Sequence, residues 1–103
     1  MCYMIVSFKN QATEDIYNGK NTKNARKLCP QSLWRVSARK LDQLDSVVKL
    51  EELKVPPGNR LENLSGTGGN REKEHSIRIN DQYRICFKWS ESGPFDVGIA
   101  DYH

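Results

Sequence analysis

The run His75-Ser76-Ile77-Arg78-Ile79-Asn80-Asp81-Gln82-Tyr83-Arg84-Ile85-Cys86-Phe87 decides the fold, because its apolar residues recur with a period of two. Ile77 and Ile79 share one parity, and Tyr83, Ile85, Phe87 and Trp89 share another. Two strands follow, His75–Ile79 and Tyr83–Trp89, each with one apolar face. Both faces reach the same core only if the turn between them is odd in length, and Asn80-Asp81-Gln82 supplies the three-residue loop that hairpins use. The resulting register pairs Ile79 with Tyr83 and Ile77 with Ile85, and it sets Arg78 directly across from Arg84 on the opposite face. Facing like charges cost roughly 0.2–1 kcal/mol. Either an anion sits between the two arginines, or each turns to solvent or to a nearby acid.

Downstream, Phe95, Val97 and Ile99 alternate in a third strand, Phe95–Asp101, whose apolar parity must also face the core. A five-residue loop, Ser90–Pro94, then pairs Trp89 with Phe95 and Ile85 with Ile99, leaving Arg84 opposite Ala100 and Gln82 opposite Tyr102. The outer face thus offers two arginines and a tyrosine above a floor of Gly98 and Ala100, small residues that leave room for a ligand. His103 has the other parity, but from the chain end it can turn to this face. Trp89 has the core parity and reads as packing.

Upstream, Arg60–Leu64 is a short strand candidate, and Ser65–Asn70 reads as a glycine-rich loop. Gln31 to about Val48 carries the helical period: Leu33, Leu41, Leu44 and Val48 fall on one stripe, with Ser37 in its gap and Trp34, Val36 and Val47 at its edges. Pro30 sits where a first turn tolerates proline, and Lys40, beside the stripe, is expected to snorkel outward. A further turn, Leu50–Leu53, ends before Pro56-Pro57-Gly58. Thr13–Tyr17 is expected as a short helix capped by Thr13 and stopped at Asn18-Gly19, followed by a polar connection, Asn21–Lys27. Met4–Phe8 reads as a strand. The order β, α, α, β-meander predicts an α+β fold in which helices pack on one face of a twisted antiparallel sheet, within a single domain spanning 1–103.

A chain of 103 residues has room for one core, and 37% hydrophobic with 28% charged residues is ordinary for a globular domain. No apolar run approaches the roughly 20 residues of a membrane span. Met1–Phe8 lacks a basic lead and a cleavage site, so it does not read as a signal peptide. Cys2, Cys29 and Cys86 lack the paired spacing of a zinc or redox motif, which suits free thiols in a reducing cytoplasm. With only His75 and His103 as histidines, neither a metal centre nor another cofactor is expected. The net charge of +3 is uneven: Lys20, Lys23, Arg26, Lys27, Arg35, Arg39 and Lys40 run without an intervening acid. Such a stretch either tracks a phosphate backbone or is a solvated helix face.

The outer face suits one phosphate and its neighbouring base. RNA needs no metal for cleavage, because its own 2′-hydroxyl can attack the adjacent phosphate. The protein then supplies a base, charge stabilisation for the phosphorane, and an acid for the leaving oxygen. Arg84 and Arg78 fit the second task, since guanidinium forks match phosphate oxygens. His103, with a reference pKa of about 6.5, fits acid or base work. Tyr102 can donate a proton, orient the phosphate or stack on a base. Glu62 is a candidate base if its strand edges the same cleft. Arg60, Arg71, Lys73, Gln82 and Asp101, with Lys23, Arg26 and Lys27 of the basic stretch, are candidate RNA contacts. His75, at a strand start, reads as structural.

At these residues the chain resembles the HigB-type toxins, the plasmid maintenance killer family within the RelE superfamily. The resemblance is carried by Ile5-Val6-Ser7-Phe8, Thr13-Glu14, Gly19 and Pro56-Pro57-Gly58-Asn59-Arg60-Leu61-Glu62, then by the arginine hairpin from His75 to Phe87, and finally by Asp101-Tyr102-His103. It implies a toxin of a type II toxin–antitoxin system that cuts messenger RNA in the ribosomal A site and so inhibits translation. It also implies a HigA-like helix-turn-helix antitoxin that neutralises the toxin and represses their operon, so that operator DNA is met only through the antitoxin. By position, Arg84 matches the family's catalytic arginine, Tyr102 and His103 its C-terminal active-site pair, and Asp101 the acid before them, with Arg78 and Gln82 in the same strand region.

Two departures accompany the resemblance. Many HigB toxins have His-Pro-Leu-Lys where this chain has Glu62-Asn63-Leu64-Ser65, although a subgroup shares its Leu-Glu-x-Leu-Ser pattern. The identity of the base is therefore open. The loop Ser65–Glu72 is also a few residues longer. Two function classes follow: a ribosome-dependent endoribonuclease, favoured by Arg84, Tyr102 and His103, and a weakly active or inactive module that binds the antitoxin as a co-repressor, favoured by Glu62 and Ser65.

Overall fold

The computed structural model describes residues 4–47, 49–63 and 74–101. Strands β1 (Glu62–Asn63), β2 (Glu74–Arg78), β3 (Tyr83–Ser90) and β4 (Gly93–Asp101) form one antiparallel sheet in chain order. The hairpin register is the expected one: Ile77 pairs with Ile85 and Arg78 with Arg84, while Arg84 pairs with Ala100 and Ile85 with Ile99. Asn80 closes the turn, its Oδ1 accepting from the backbone N–H of Gln82 at 2.9 Å and of Tyr83 at 2.7 Å.

The far end of the sheet departs from expectation. The loop Ser90–Pro94 does not form; β3 and β4 continue to Ser90 and Gly93, with Trp89 opposite Pro94 and Lys88 opposite Phe95. A bulge between Cys86 and Lys88 takes up the extra residue. There Asp96 adopts a left-handed φ of 54°, and its N–H donates to Ser7 Oγ at 2.9 Å. Phe95 consequently shares the outer face with Lys88, and of the three alternating residues only Val97 and Ile99 enter the core.

Met4–Phe8 is likewise not a regular strand. It runs beside β4 through one parallel bridge, Phe8 to Val97, held by Val6 N to Pro94 O at 2.8 Å, Val97 N to Ser7 O at 3.1 Å and Lys9 N to Val97 O at 2.7 Å. The Asp96 bulge interrupts the regular edge that a longer ladder would need.

Helix α1 (Gln11–Tyr17) is capped by Asn10, not Thr13. Asn10 Oδ1 accepts from Thr13 N at 2.9 Å and from Thr13 Oγ1 at 2.7 Å. Thr13, fully buried, in turn accepts from Ile99 N at 3.2 Å and so ties α1 to β4. The expected polar connection contains a second helix, α2 (Lys23–Leu28), capped by Thr22 and seated through buried Ala25. Asp15 accepts from Gln11 Nε2 at 3.0 Å and from Thr22 Oγ1 at 2.8 Å. These bonds, with Lys20 nearby, outweigh burial and hold its carboxyl below the usual range.

The long helix begins as a 3-10 turn, Gln31–Leu33, and continues as α3 (Trp34–Leu44); Val48 lies outside the described residues. Leu41 and Leu44 of α3 and Ile16 of α1 pack against Ile77, Ile85, Phe87, Val97 and Ile99 of the sheet. Ser37 fills the stripe's gap, fully buried beside the Cys29 thiol. Trp89 packs against the core margin, as its parity implies. The fold is thus α+β with the helices on one face of the sheet, and no helix among the described residues is long and apolar enough to cross a membrane.

Candidate active site on the outer face of the sheet

The face of the sheet turned away from the helices is organised around Arg84. On β3 it pairs with Arg78 on one side and Ala100 on the other, with Ser76 diagonally across on β2. Arg84 Nε donates to Ser76 Oγ at 2.8 Å, and Nη2 donates to the Arg60 carbonyl at 2.8 Å. Glu62 Oε1 stands 3.4 Å from the same Nη2. With only 13% of its side chain exposed, the arginine is held by charge-assisted bonds in one direction.

The carbonyl that receives Arg84 is itself held. The 3-10 turn Pro57–Asn59 ends at Arg60, whose φ of 46° and ψ of 59° are left-handed. Asn59 anchors that turn from a fully buried position. Its Nδ2 donates to Gln43 Oε1 and to the Leu53 carbonyl, both at 3.1 Å, and its Oδ1 accepts from Lys40 Nζ. Lys40 is therefore tied to Asn59 and does not snorkel outward as expected. Burial, then Arg39 and Arg78, push its ammonium below the ordinary lysine range.

Arg78 behaves differently. It pairs with Asp81 of the turn, whose side chain is 97% exposed. The like-charge pair is thus relieved by the second route that sequence allowed: each arginine turns to its own acid. Gln82 Nε2 reaches Asp101 Oδ2 at 3.3 Å, and Asp101 pairs with Tyr83, one residue from Arg84. Tyr102, His103, Arg71 and Lys73 lie outside the described residues.

Arg84, Arg78, Glu62, Gln82 and Asp101 are brought to one hairpin and its flanking strands, and the backbone of Arg60 joins them. Lys23, Arg26 and Lys27 are not. They stand exposed on α2, within the helical layer behind the sheet. The expected small floor is present: beside Arg84 a cleft of 230 Å³ is lined by Lys9, Asn10, Glu74, Cys86, Gly98, Ile99 and Ala100. Sequence reading did not single out Ser76, Asn59 or Lys9. Ser76 was accessible to it, since it shares parity with Arg78; the other two depend on long-range contacts.

Residues 6–103 match the family model described as the RelE-like toxin of type II toxin–antitoxin system HigB. The chain is 37% identical to Toxin HigB-1 of Vibrio cholerae serotype O1 over 86 residues, 84% of each chain. It is 38% identical to an uncharacterized protein of Haemophilus influenzae over 63 residues, 61% of this chain and 59% of the relative. Its α+β architecture is that of a RelE-like toxin, and the chain belongs to the HigB-like toxins of type II toxin–antitoxin systems.

Proposed function

We propose that this toxin is an endoribonuclease that cuts messenger RNA in the ribosomal A site by attack of a 2′-hydroxyl on its adjacent phosphate. A type II toxin has a protein antitoxin partner; here we take it to be a HigA-like helix-turn-helix protein that neutralises the toxin. The observation that carries the reading is Arg84, a guanidinium held by Ser76 and the Arg60 carbonyl before any substrate arrives. Such preorganised charge stabilises the phosphorane at no cost of reorganisation during the reaction.

In this mechanism the 2′-oxygen bonds to phosphorus and the bond to the 5′-oxygen breaks, leaving a 2′,3′-cyclic phosphate and a 5′-hydroxyl. The 2′ proton passes to a base, and the departing 5′-oxygen takes a proton from an acid. Glu62, 3.4 Å from Arg84, is the base candidate among the described residues. An entering phosphate replaces it on Nη2 and frees the carboxylate to accept a proton. His103 and Tyr102, next in the chain after Asp101, are the acid and orienting candidates. Arg78, Arg60, Gln82 and Asp101 are assigned to RNA contact.

The test uses purified toxin and ribosomes programmed with a defined message. Cleavage that leaves a cyclic phosphate, and that stops when the nucleotide 5′ of the cut carries 2′-deoxyribose, is the expected result. Cleavage of the deoxy message, or none of the ribose one, contradicts it. One observation favours a second reading, an antitoxin-binding co-repressor without effective cleavage: Glu62 partly neutralises Arg84. That reading predicts operator repression together with the antitoxin, and intact message.

A further inference from the structure

We propose that Lys9 is a phosphate-binding residue of the same face, taking the phosphodiester next to the one held by Arg84. This rests on the reading of the Arg84 face as an RNA site. Among the described residues, three basic side chains of the outer face have an acid: Arg84 has Glu62, Arg78 has Asp81, and Lys88 has Asp96 at 3.9 Å. Lys9 is exposed and has no carboxylate within ion-pair distance among the described residues. Its ammonium is a basic group on this face still available to a ligand's anion.

The stem of Lys9 is already placed. Its backbone N–H donates to the Val97 carbonyl at 2.7 Å, and its side chain lies across Gly98. A Cβ on Gly98 would stand 3.0 Å from Lys9 Cβ and 3.2 Å from Lys9 Cδ, so the missing side chain at 98 is what lets the lysine lie flat. Ordering of this kind in the free protein lowers the entropy lost on binding.

The spacing is also suitable. Gly98 pairs with Cys86 and Ala100 with Arg84, two residues apart along each strand. At about 3.4 Å per residue these backbone positions lie about 7 Å apart, which sets Lys9 on the β4 side of Arg84. The 230 Å³ cleft between the two positions has Cys86, Gly98 and Ala100 in its lining, and Glu74 lines it as well.

The test measures affinity for ribosomes whose A-site codon carries 2′-O-methyl groups, so that nothing is cut. Lys9→Met keeps an unbranched stem over Gly98 and removes the charge. It is expected to weaken binding about three- to tenfold and to lower the salt slope by about one. With cleavable message, the loss falls in KM rather than kcat. Lys9→Arg restores affinity. Gly98→Ala, which displaces the stem, reproduces the loss in the wild type and adds little to Lys9→Met. A Lys9→Met protein with wild-type affinity and salt slope overturns the proposal while leaving Arg84 untouched. An Arg84→Ala protein that cleaves like the wild type instead overturns the underlying reading, and with it this one.

Discussion

Arg78 and Arg84 are register partners on one face of one hairpin, yet their surroundings differ in nearly every respect. Arg84 lies in the sheet interior, 13% exposed, bonded to Ser76, the Arg60 carbonyl and Glu62. Arg78 lies at the strand end, 30% exposed, bonded to a turn aspartate that is almost wholly in water. The two stand at the same level of the hairpin, and the direction each side chain takes makes the difference. Arg84 runs past Ser76 to the Arg60 carbonyl and Glu62, where it meets fixed acceptors; Arg78 turns to the loop and meets solvent and an exposed carboxylate. Under the proposed ribonuclease reading, prior orientation and not charge alone singles out Arg84 as the catalytic candidate.

The comparison is broken most sharply by replacing each arginine in turn. Arg84→Ala is expected to lower cleavage on programmed ribosomes about 10²–10³-fold, the usual loss for one preorganised transition-state donor. Arg78→Ala should lower it less than about tenfold, the worth of an exposed ionic contact. Equal losses would erase the distinction drawn here.

The support behind Arg84 comes next. Asn59→Ala removes buried hydrogen bonds and leaves the Leu53 carbonyl and Lys40 ammonium without their partner. A stability loss of about 2–4 kcal/mol by urea denaturation is expected, the scale for buried polar groups left unsatisfied. Asp81→Ala, the matching cut beneath Arg78, should cost under about 1 kcal/mol, since exposed ion pairs contribute little.

The smallest effect serves as a control in the helical layer. Burial, then Asp45 and Asp42, push the Tyr17 hydroxyl up to about 12 from 10.0. An unfolded chain therefore ionises this group first, and stability present below pH 10 is lost as pH rises towards 12. Tyr17→Phe should flatten that alkaline decline in a thermal melt series, without changing the contrast between the arginines.

The register of β2, β3 and the end of β4 was legible because apolar alternation with an odd turn admits one pairing, and Ile77 opposite Ile85 follows directly. The bulge at Asp96 was not, since Phe95, Val97 and Ile99 alternate as if unbroken and only the backbone shows the extra residue. Helix α2 escaped because a six-residue helix with one buried side chain, Ala25, shows no period. Met4–Phe8 looks like a strand in composition, but pairing is a property of its neighbour, and the bulged edge of β4 offers it a single bridge. For the site, the face and its arginine followed from parity. The buried amide of Asn59 and the Lys9 stem over Gly98 join residues 19 and 89 positions apart and leave no local mark.

The most direct measurement is made in cells: the toxin is induced without its antitoxin, and new messenger RNA 5′ ends are mapped by primer extension, with Arg84→Ala and His103→Ala alongside. Cuts inside translated frames that vanish in both variants, and also when translation is blocked, are the predicted result. Intact message from well-expressed, soluble wild-type protein would contradict the ribonuclease assignment and leave an antitoxin-binding regulator.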